Sequence, residues 1–585
     1  MNKKSSSENK PRIPFEKDGI QVNFCKNPLC DNYGIPASSV IKPKYSRQQD
    51  SYYIVRAGRK PVARLHCKVC GEQFPIKSNL GIHEEVNRIG SYLNPAIEPS
   101  CPSESCSNHA VGISAGKLAY QSFGKTKSGS KRYKCKSCGK SFSVKNATTG
   151  QKSPHKNKLI FKLLMNKSPF RRICEVADVS MSTIYAKINF LHKQCLAFVA
   201  HRERQLINGK HIKRLYISVD RQEYVVNWSK RSDKRNIVLS AVGSADNSTG
   251  YVFQMNLNYD QNINPEKTDS HSKEINDCTE KHAYRQYARL WLDCDYKESL
   301  KYSITNKKIS LSLNDKIEKT YNETIGRDDI EVSEIVDNRQ ALPQKGMQVH
   351  AEYTLYGHFL HLKKLFNGVE KLRFFLDQDS GIRAACLSAF QQKIMARTCD
   401  AFYVRLNKNL TVDEKRRVLR NSRESFSKAQ KEHPELTKNE IKLLLIKKRI
   451  DSMPEIGKWK DKWLLHPFPN MSEPEKAVCY LTDYDDYDEE HQAWLYNKAS
   501  MHGIDYFFML VRRRLSLLER PISTSSGAWR RWFGYSAYNP DIIVKLLDIF
   551  RVYYNYCLTG QDKKTPAMRL GLAKGVVVPE DIIYF

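Results

Sequence analysis

Eight of the sixteen cysteines fall into two matched sets before residue 140, at the spacing of metal ligands. Cys25 and Cys30 (CKNPLC) go with Cys67 and Cys70 (CKVCGEQF), and Cys101 and Cys106 (CPSESC) with Cys135 and Cys138 (CKSCGKSF). Each set reads Cys-x4-Cys, a spacer, then Cys-x2-Cys-Gly followed by Phe74 or Phe142. Cys101 lies 76 residues after Cys25 and Cys135 lies 68 after Cys67, the signature of an internal duplication. Four thiolates from two short turns close a tetrahedron around Zn²⁺ at about 2.3 Å, and glycine after the second pair permits the tight turn that aims both sulfurs inward. Twelve residues separate His83 from Cys70, as in a zinc finger, but no histidine follows three to five residues later, so it reads as a surface residue. Two zinc-ribbon modules with one structural Zn²⁺ each are expected over residues 1–90 and 91–150.

The charge balance names a class of partner. Lys and Arg number 96 against 63 Asp and Glu, a net of +33. Such a surplus suits a polyanion. No apolar run approaches the roughly 20 residues of a membrane span, and the first residues lack the apolar stretch of a signal peptide. Double-stranded DNA is the expected partner, and a nucleoid-associated cytoplasmic location follows. Lys125, Lys127, Lys131, Arg132, Lys134, Lys136 and Lys140 surround the second cysteine set and suit phosphate contact. The other eight cysteines, scattered from Cys174 to Cys557, read as small buried apolar residues in a reducing compartment.

The elements that position this chemistry follow from periodicity. After a polar linker at 145–157, the stretch to about residue 195 reads as three short helices in a helix-turn-helix domain over 151–205. Ile160, Leu163 and Leu164 mark the first, Ser168-Pro169 opens the second, and Asp178-Val179-Ser180 makes the turn. The third runs from Met181 to about His192, with Ile184 and Ile188 inward and Ser182, Thr183, Tyr185 and Lys187 outward toward base edges or phosphates.

From residue 214 the pattern becomes β-rich: RLYISVDRQEYVVNW, NIVLSAVGSADNSTG and YVFQMNLNYD are three runs with Asp220 in the first. Three antiparallel strands with an acid in the first are how a ribonuclease-H-like sheet opens. Residues 261–345 read as a polar, patternless insertion. A helix over 350–366 leads into KLRFFLDQDSG, a strand ending at Asp377 and Asp379, then a helix (GIRAACLSAFQQKI) and a strand (DAFYVRLNKNL). Residues 411–500 read as a helical insertion, and its acidic run from Asp483 to Glu490 as a solvated loop.

This alternation, with the C-terminal stretch FFMLVRRRLSLLERP…WRRWFGYSAYNPDIIVKLLDIFRVYYNY…KTPAMRLGLAKG, resembles bacterial insertion-sequence transposases of the Asp–Asp–Glu type over about 155–260, 350–410 and 500–575. The resemblance implies a ribonuclease-H-like mixed-sheet core over 206–410 and 501–585. It also implies a metal site made of Asp220, Asp377 and Glu519. In related Mutator-like transposases a Gly follows the second Asp by four residues and a Cys by about 21. Gly381 and Cys399 match, favouring Asp377 over Asp379, whereas Phe402 stands where the family has a His. Arg512, Arg513 and Arg514 would meet DNA phosphate, and Trp529, Trp532, Tyr535 and Tyr538 beside Arg530 and Arg531 would stack on unpaired bases.

Three carboxylates suit two Mg²⁺ ions, with Mn²⁺ as an alternative, because such hard cations take oxygen ligands and neutralise charge during phosphodiester chemistry. The expected activity is metal-dependent cleavage and transfer of DNA strands at element ends, by at least a homodimer. A DNA-binding regulator derived from such an enzyme, or a nuclease without joining activity, would use the same modules.

Overall fold

The computed structural model describes residues 11–41, 50–57, 62–94, 99–113, 118–126, 130–144, 147–227, 236–301, 314, 317–318, 345–407, 409–457, 459–519, 522–523, 531–532 and 539–585. Lys127, Trp529, Arg530, Tyr535 and Tyr538 lie outside the described residues, as do the side chains of Arg531 and Trp532. The chain divides into two compact units. The first comprises residues 1–89, 206–512 and 520–544, and the second 90–205, 513–519 and 545–585.

The first unit opens with the first cysteine module, whose strands β1 (Tyr52–Ala57), β2 (Val62–Cys67) and β3 (Gln73–Pro75) form a small antiparallel sheet, followed by α1 (Asn79–Gly90). Its main feature is an eight-stranded mixed sheet. The long hairpin strands β7 (Ile212–Asn227) and β8 (Asn236–Asp246) and then β9 (Val252–Leu257) make an antiparallel meander. On the other side of β7 lies β12 (Val369–Asp377), parallel to it, and then β13 (Cys399–Leu406), parallel to β12. Three further strands extend the sheet antiparallel beyond β13: β16 (Lys476–Tyr480), β15 (Asp461–Leu465) and β14 (Glu455–Ile456). Residues 411–500 are therefore not a purely helical insertion. Helices α10 (Val412–Glu432) and α11 (Lys438–Ile450) are present, but DKWLL and KAVCY bury their apolar residues by joining the sheet edge.

Helices cover both faces of this sheet, which is why LRFFL in β12 is apolar without alternation. Phe374 packs on Phe359 and Phe366 of the segment containing α7 (Ala351–Leu365), while its neighbour Phe375 faces Tyr216, which meets Trp494 of α12 (Glu489–Lys498). Successive strand residues point to opposite faces, so Tyr216, Ser218 and Asp220 on β7 share the face of Phe375 and Asp377. Helix α13 (His502–Arg514) lies on that face, its Ile504 N–H donating to Ser218 Oγ at 3.1 Å. On the opposite face, α8 (Ser380–Ala389) and α9 (Gln391–Met395) follow β12.

The segment read as a patternless insertion is ordered where described. β10 (Tyr259–Asp260) pairs with β11 (Met347–Gln348), and α5 (Pro265–Glu274) and α6 (Asp293–Lys301) lie between them in sequence. Cys278 and Cys294 form a disulfide here, so these two are not the buried apolar residues expected. Packing also ties the first cysteine module to the core of its unit. Tyr33 donates to the Leu387 carbonyl at 2.7 Å, and Arg289 bonds Glu84, Glu85 and Asp260 at 2.9, 3.2 and 2.8 Å. A short pairing of β17 (Ile522–Ser523) with β18 (Arg531–Trp532) completes the unit's strands.

The second unit holds the second cysteine module, with β4 (Tyr120–Lys125), β5 (Lys131–Cys135) and β6 (Ser141–Val144), then α2 (Asn157–Leu164), α3 (Phe170–Ala177) and α4 (Met181–Ile207). α4 runs 27 residues, well past His192, because its apolar spacing continues through Leu191, Cys195, Phe198 and Val199, all buried. Residues from 545 in α14 (Pro540–Cys557) supply the partner surface: Tyr556 meets Phe198 edge-on at 5.0 Å and Arg551 pairs with the buried Glu203 at 2.8 Å. α15 (Pro566–Arg569) and α16 (Pro579–Ile583) close the chain. Among the described residues no helix is long and apolar enough to cross a membrane.

Candidate metal centres and nucleic-acid surface

The two cysteine sets are built alike atom by atom. In the first, Cys25 and Cys70 sulfurs lie 3.6 Å apart and Cys30 and Cys67 sulfurs 3.7 Å; in the second, Cys101–Cys138 and Cys106–Cys135 are 3.3 and 3.7 Å. All four ligand atoms of each set lie within 4.8 Å of one another. A tetrahedron with 2.3 Å arms has edges of about 3.8 Å, so both sets fit a zinc ribbon. The repeat extends to the supports. Tyr52 and Tyr120 accept from the Cys25 and Cys101 N–H groups at 2.9 and 3.0 Å, and Asn32 and Asn108 donate to the Cys67 and Cys135 sulfurs, both at 3.3 Å. Gly71 and Gly139 adopt φ of 75° and 74°, a left-handed turn that explains glycine at both positions. Hydrogen bonds favour the thiolate of Cys70 in the first set and of Cys106 and Cys135 in the second. The bond from Cys25 lowers Cys70 to about 6, and the backbone N–H of Cys138 lowers Cys135 to about 6. His83 lies outside the tetrad, on α1, its Nε2 3.0 Å from Asp18 Oδ2.

The modules differ in what surrounds them. The first centres on a buried cluster that includes Ile13, Leu65, Phe74, Ile76 and Ala283. In the second, among the described residues, Ala119 and Tyr120 are buried in a cluster with its cysteines. Its hairpin leaves Lys125, Lys131, Lys134, Lys136 and Lys140 exposed, with Arg132 stacked 5.1 Å over the Phe123 ring.

In the helix-turn-helix, Asp178 takes a left-handed φ of 44° to make the turn between α3 and α4. Ser182 and Tyr185 are exposed at the start of α4, and Thr183 is half-buried. Lys187 corrects the expectation of an outward residue. It is 3% exposed, and its Nζ donates to Gln151 Oε1 at 3.1 Å and to the Ser153 carbonyl at 3.3 Å. It ties the linker to the helix and cannot meet a phosphate without breaking those bonds.

In the first unit Asp220 and Asp377 come together. The β7–β12 register pairs Val219 with Leu376, so the next residue on each parallel strand is one of the two acids, on the face that α13 covers. Both are half-buried, and Asp220 also accepts from its neighbour's N–H at 2.7 Å. Asp379 serves another purpose. Its side chain caps α8, accepting from the Gly381 and Ile382 N–H groups at 2.7 and 3.1 Å, and pairs with Arg221 on the opposite face. Burial raises its pKa, with Arg221 opposing. Phe402 lies among aromatic rings, 4.3 Å from Tyr480 and 5.6 Å from Phe375.

Glu519 belongs to the second unit, where it follows a short 3₁₀ turn and pairs with Lys167 at 2.8 Å. Arg514 donates to Asn166 Oδ1 at 3.0 Å in the same unit, and Arg513 is exposed. Arg512 lies in the first unit, beside Tyr224 of β7, where burial raises the phenol's pKa and the guanidinium opposes the rise. That contact exposes a carboxylate the sequence reading passed over. Asp505 lies seven residues before Arg512 and so shares its flank of α13. Its neighbour Ile504 is anchored at Ser218. Asp505 is half-buried on the helix that covers the face of Asp220. Close packing supports this approach: a Cβ on Gly243, the cross-strand partner of Asp220, would lie 2.6 Å from Ile504 Cδ1 and 2.9 Å from Phe508 Cε1.

The acidic run is accounted for locally. Asp488 caps α12 through the His491 N–H at 2.7 Å, and Asp486 pairs with Arg397 at 2.8 Å. Among known proteins, no family model matches this chain and no curated protein matches it in sequence. The reading of the core therefore rests on its own residues and their placement.

Proposed function

We propose that the chain is a DNA transposase, a metal-dependent polynucleotidyl transferase with a ribonuclease-H-like core. The observation that carries the reading is the meeting of Asp220 and Asp377 on adjacent parallel strands, at the centre of a sheet whose strand order suits that core. Three antiparallel strands are followed by two parallel to the first. The donor set fits Mg²⁺: two half-buried carboxylates side by side on one face. Glu519, and Asp505 on the covering helix, are the two candidates for a third ligand. When bound, two such ions stabilise the attacking and leaving oxygens of a phosphodiester.

The chain's own residues set the conditions for this. Arg221 and Asp379 fix the start of α8 on the far face, which leaves Asp377 rather than Asp379 to face α13. Arg512, near Tyr224 on the strand that carries Asp220, would hold a phosphate. The second cysteine module offers lysines on a solvent-facing hairpin, and Ser182, Thr183 and Tyr185 open α4 for base and backbone contact. Two element ends must be handled together, so a homodimer on double-stranded DNA is the working assembly. The test is incubation of the purified chain and Mg²⁺ with plasmid carrying the DNA that flanks its coding region. Cleaved and rejoined products support the transposase. Cleavage without joining points to a nuclease, and binding without cleavage to a regulator.

A further inference from the structure

Outside the cysteine sets and the acid pair, His282, Asp295 and His350 form a third convergent group, with one ligand atom of each within 4.8 Å of the others. His282 sits in a 3₁₀ turn, Asp295 in the first turn of α6, and His350 at the N-terminus of α7. The two imidazoles are 4.8 Å apart and nearly perpendicular, at 84°, so their nitrogens approach from different directions. His350 Nε2 lies 3.7 Å from Asp295 Oδ2. That exceeds the usual 2.7–3.2 Å of an N–H···O bond, and is close to the roughly 3.4 Å between two ligand atoms on one tetrahedral zinc ion.

The surroundings hold the group in place. Asp295 Oδ1 accepts from Arg285 Nη1 at 2.7 Å and Oδ2 from the Leu292 N–H at 3.0 Å, which orients the carboxylate and leaves lone pairs for a further partner. Trp291 stacks on the His350 ring at 4.6 Å. The disulfide between Cys278 and Cys294 closes the loop that carries His282 and ends beside Asp295. A buried ion cluster built on Arg285 alone would need one acid; it does not call for two crossed imidazoles at the same point.

We propose that His282, Asp295 and His350 bind a divalent transition ion, zinc in preference, as a structural clasp. Two imidazole nitrogens and one carboxylate oxygen are a common zinc ligand set, distinct from the thiolates of the cysteine modules. The clasp would join three segments at one point. Ala283 lies in the core of the first cysteine module, Tyr284 donates to the Arg12 carbonyl at 2.6 Å, and His350 starts the helix that leads into β12 and Asp377.

The experiment is metal analysis of the full-length chain after equilibration with micromolar zinc and removal of loose metal. Three zinc ions per chain are expected, falling to two in both His282→Gln and His350→Gln, and remaining three in Cys278→Ser/Cys294→Ser. Cobalt substitution gives a second readout: the third ion adds visible absorption without adding to the thiolate charge-transfer band. Two ions in the folded wild-type chain, or three retained in both histidine variants, would overturn the assignment. Neither outcome touches the transposase reading, which rests on other residues.

Discussion

Replacing Glu85 by Gln tests how firmly the first cysteine module is fastened to its unit. Glu85 is fully buried on α1, and accepts from Arg88 at 2.6 and 2.9 Å, from Arg289 at 3.2 Å and from Thr354 of α7 at 2.9 Å. The amide keeps the shape but removes the negative charge between two guanidiniums. Removing one partner of a buried pair costs about 3–5 kcal/mol, and because Asp260 and Glu84 still face Arg289 the lower end, about 3 kcal/mol, is expected. Every described tryptophan lies in the first unit, so urea unfolding followed by tryptophan fluorescence reports on that unit. The cost should also depend on pH. Burial raises the Glu85 carboxyl, but Arg88 and Arg289 outweigh it and hold the pKa below 4.5. The charge therefore contributes its full stability above the unfolded value and loses it as pH falls through the folded one. The gap between wild type and Glu85→Gln should narrow as pH drops below 4.5. A difference under about 1 kcal/mol at pH 7, or a gap that widens in acid, would refute the fastening argument.

Further outcomes follow from the other sites. Cys67→Ser should lower thiolate-bound zinc from two ions to one and destabilise the first unit, whereas Cys135→Ser should remove the other ion and leave tryptophan-reported unfolding unchanged. Tyr185→Ala should weaken end-specific DNA binding; Lys187→Ala should instead lower the stability of the helix-turn-helix, read by thermal unfolding of the second unit followed by circular dichroism. Asp379→Ala should cost about 1 kcal/mol or more through the lost cap, seen in urea unfolding, while Asp377→Asn should leave stability near wild type. Comparing cleavage by Asp505→Asn and Glu519→Gln decides the third ligand: the variant that is inactive while still binding DNA identifies it.

Much of this architecture is legible in the sequence because it is local. The cysteine sets announce themselves by spacing, the three strands within 214–260 by β-rich runs between polar turns, and the strand at 369–377 by its apolar Phe374-Phe375-Leu376. The strands at 461–465 and 476–480 are equally apolar, but only pairing with β13 shows that they extend the sheet. Lys187 is misread when polarity is weighed above helical phase. It falls three residues after Ile184 and beside Ile188, on the stripe that faces inward. The disulfide and the His282–Asp295–His350 group have no local signature, since their members are brought together only by the fold.

The measurement that bears most directly on the account is Mg²⁺-dependent cleavage of end DNA by Asp220→Asn and Asp377→Asn, alongside their binding to the same DNA. Losing a metal ligand removes several kcal/mol of stabilisation, and each 1.36 kcal/mol is about tenfold in rate, so a fall of roughly three orders of magnitude is expected for each. Binding should stay within a few-fold of wild type. Cleavage at the wild-type rate by either variant would contradict the metal-site reading and leave a DNA-binding regulator as the better description of this chain.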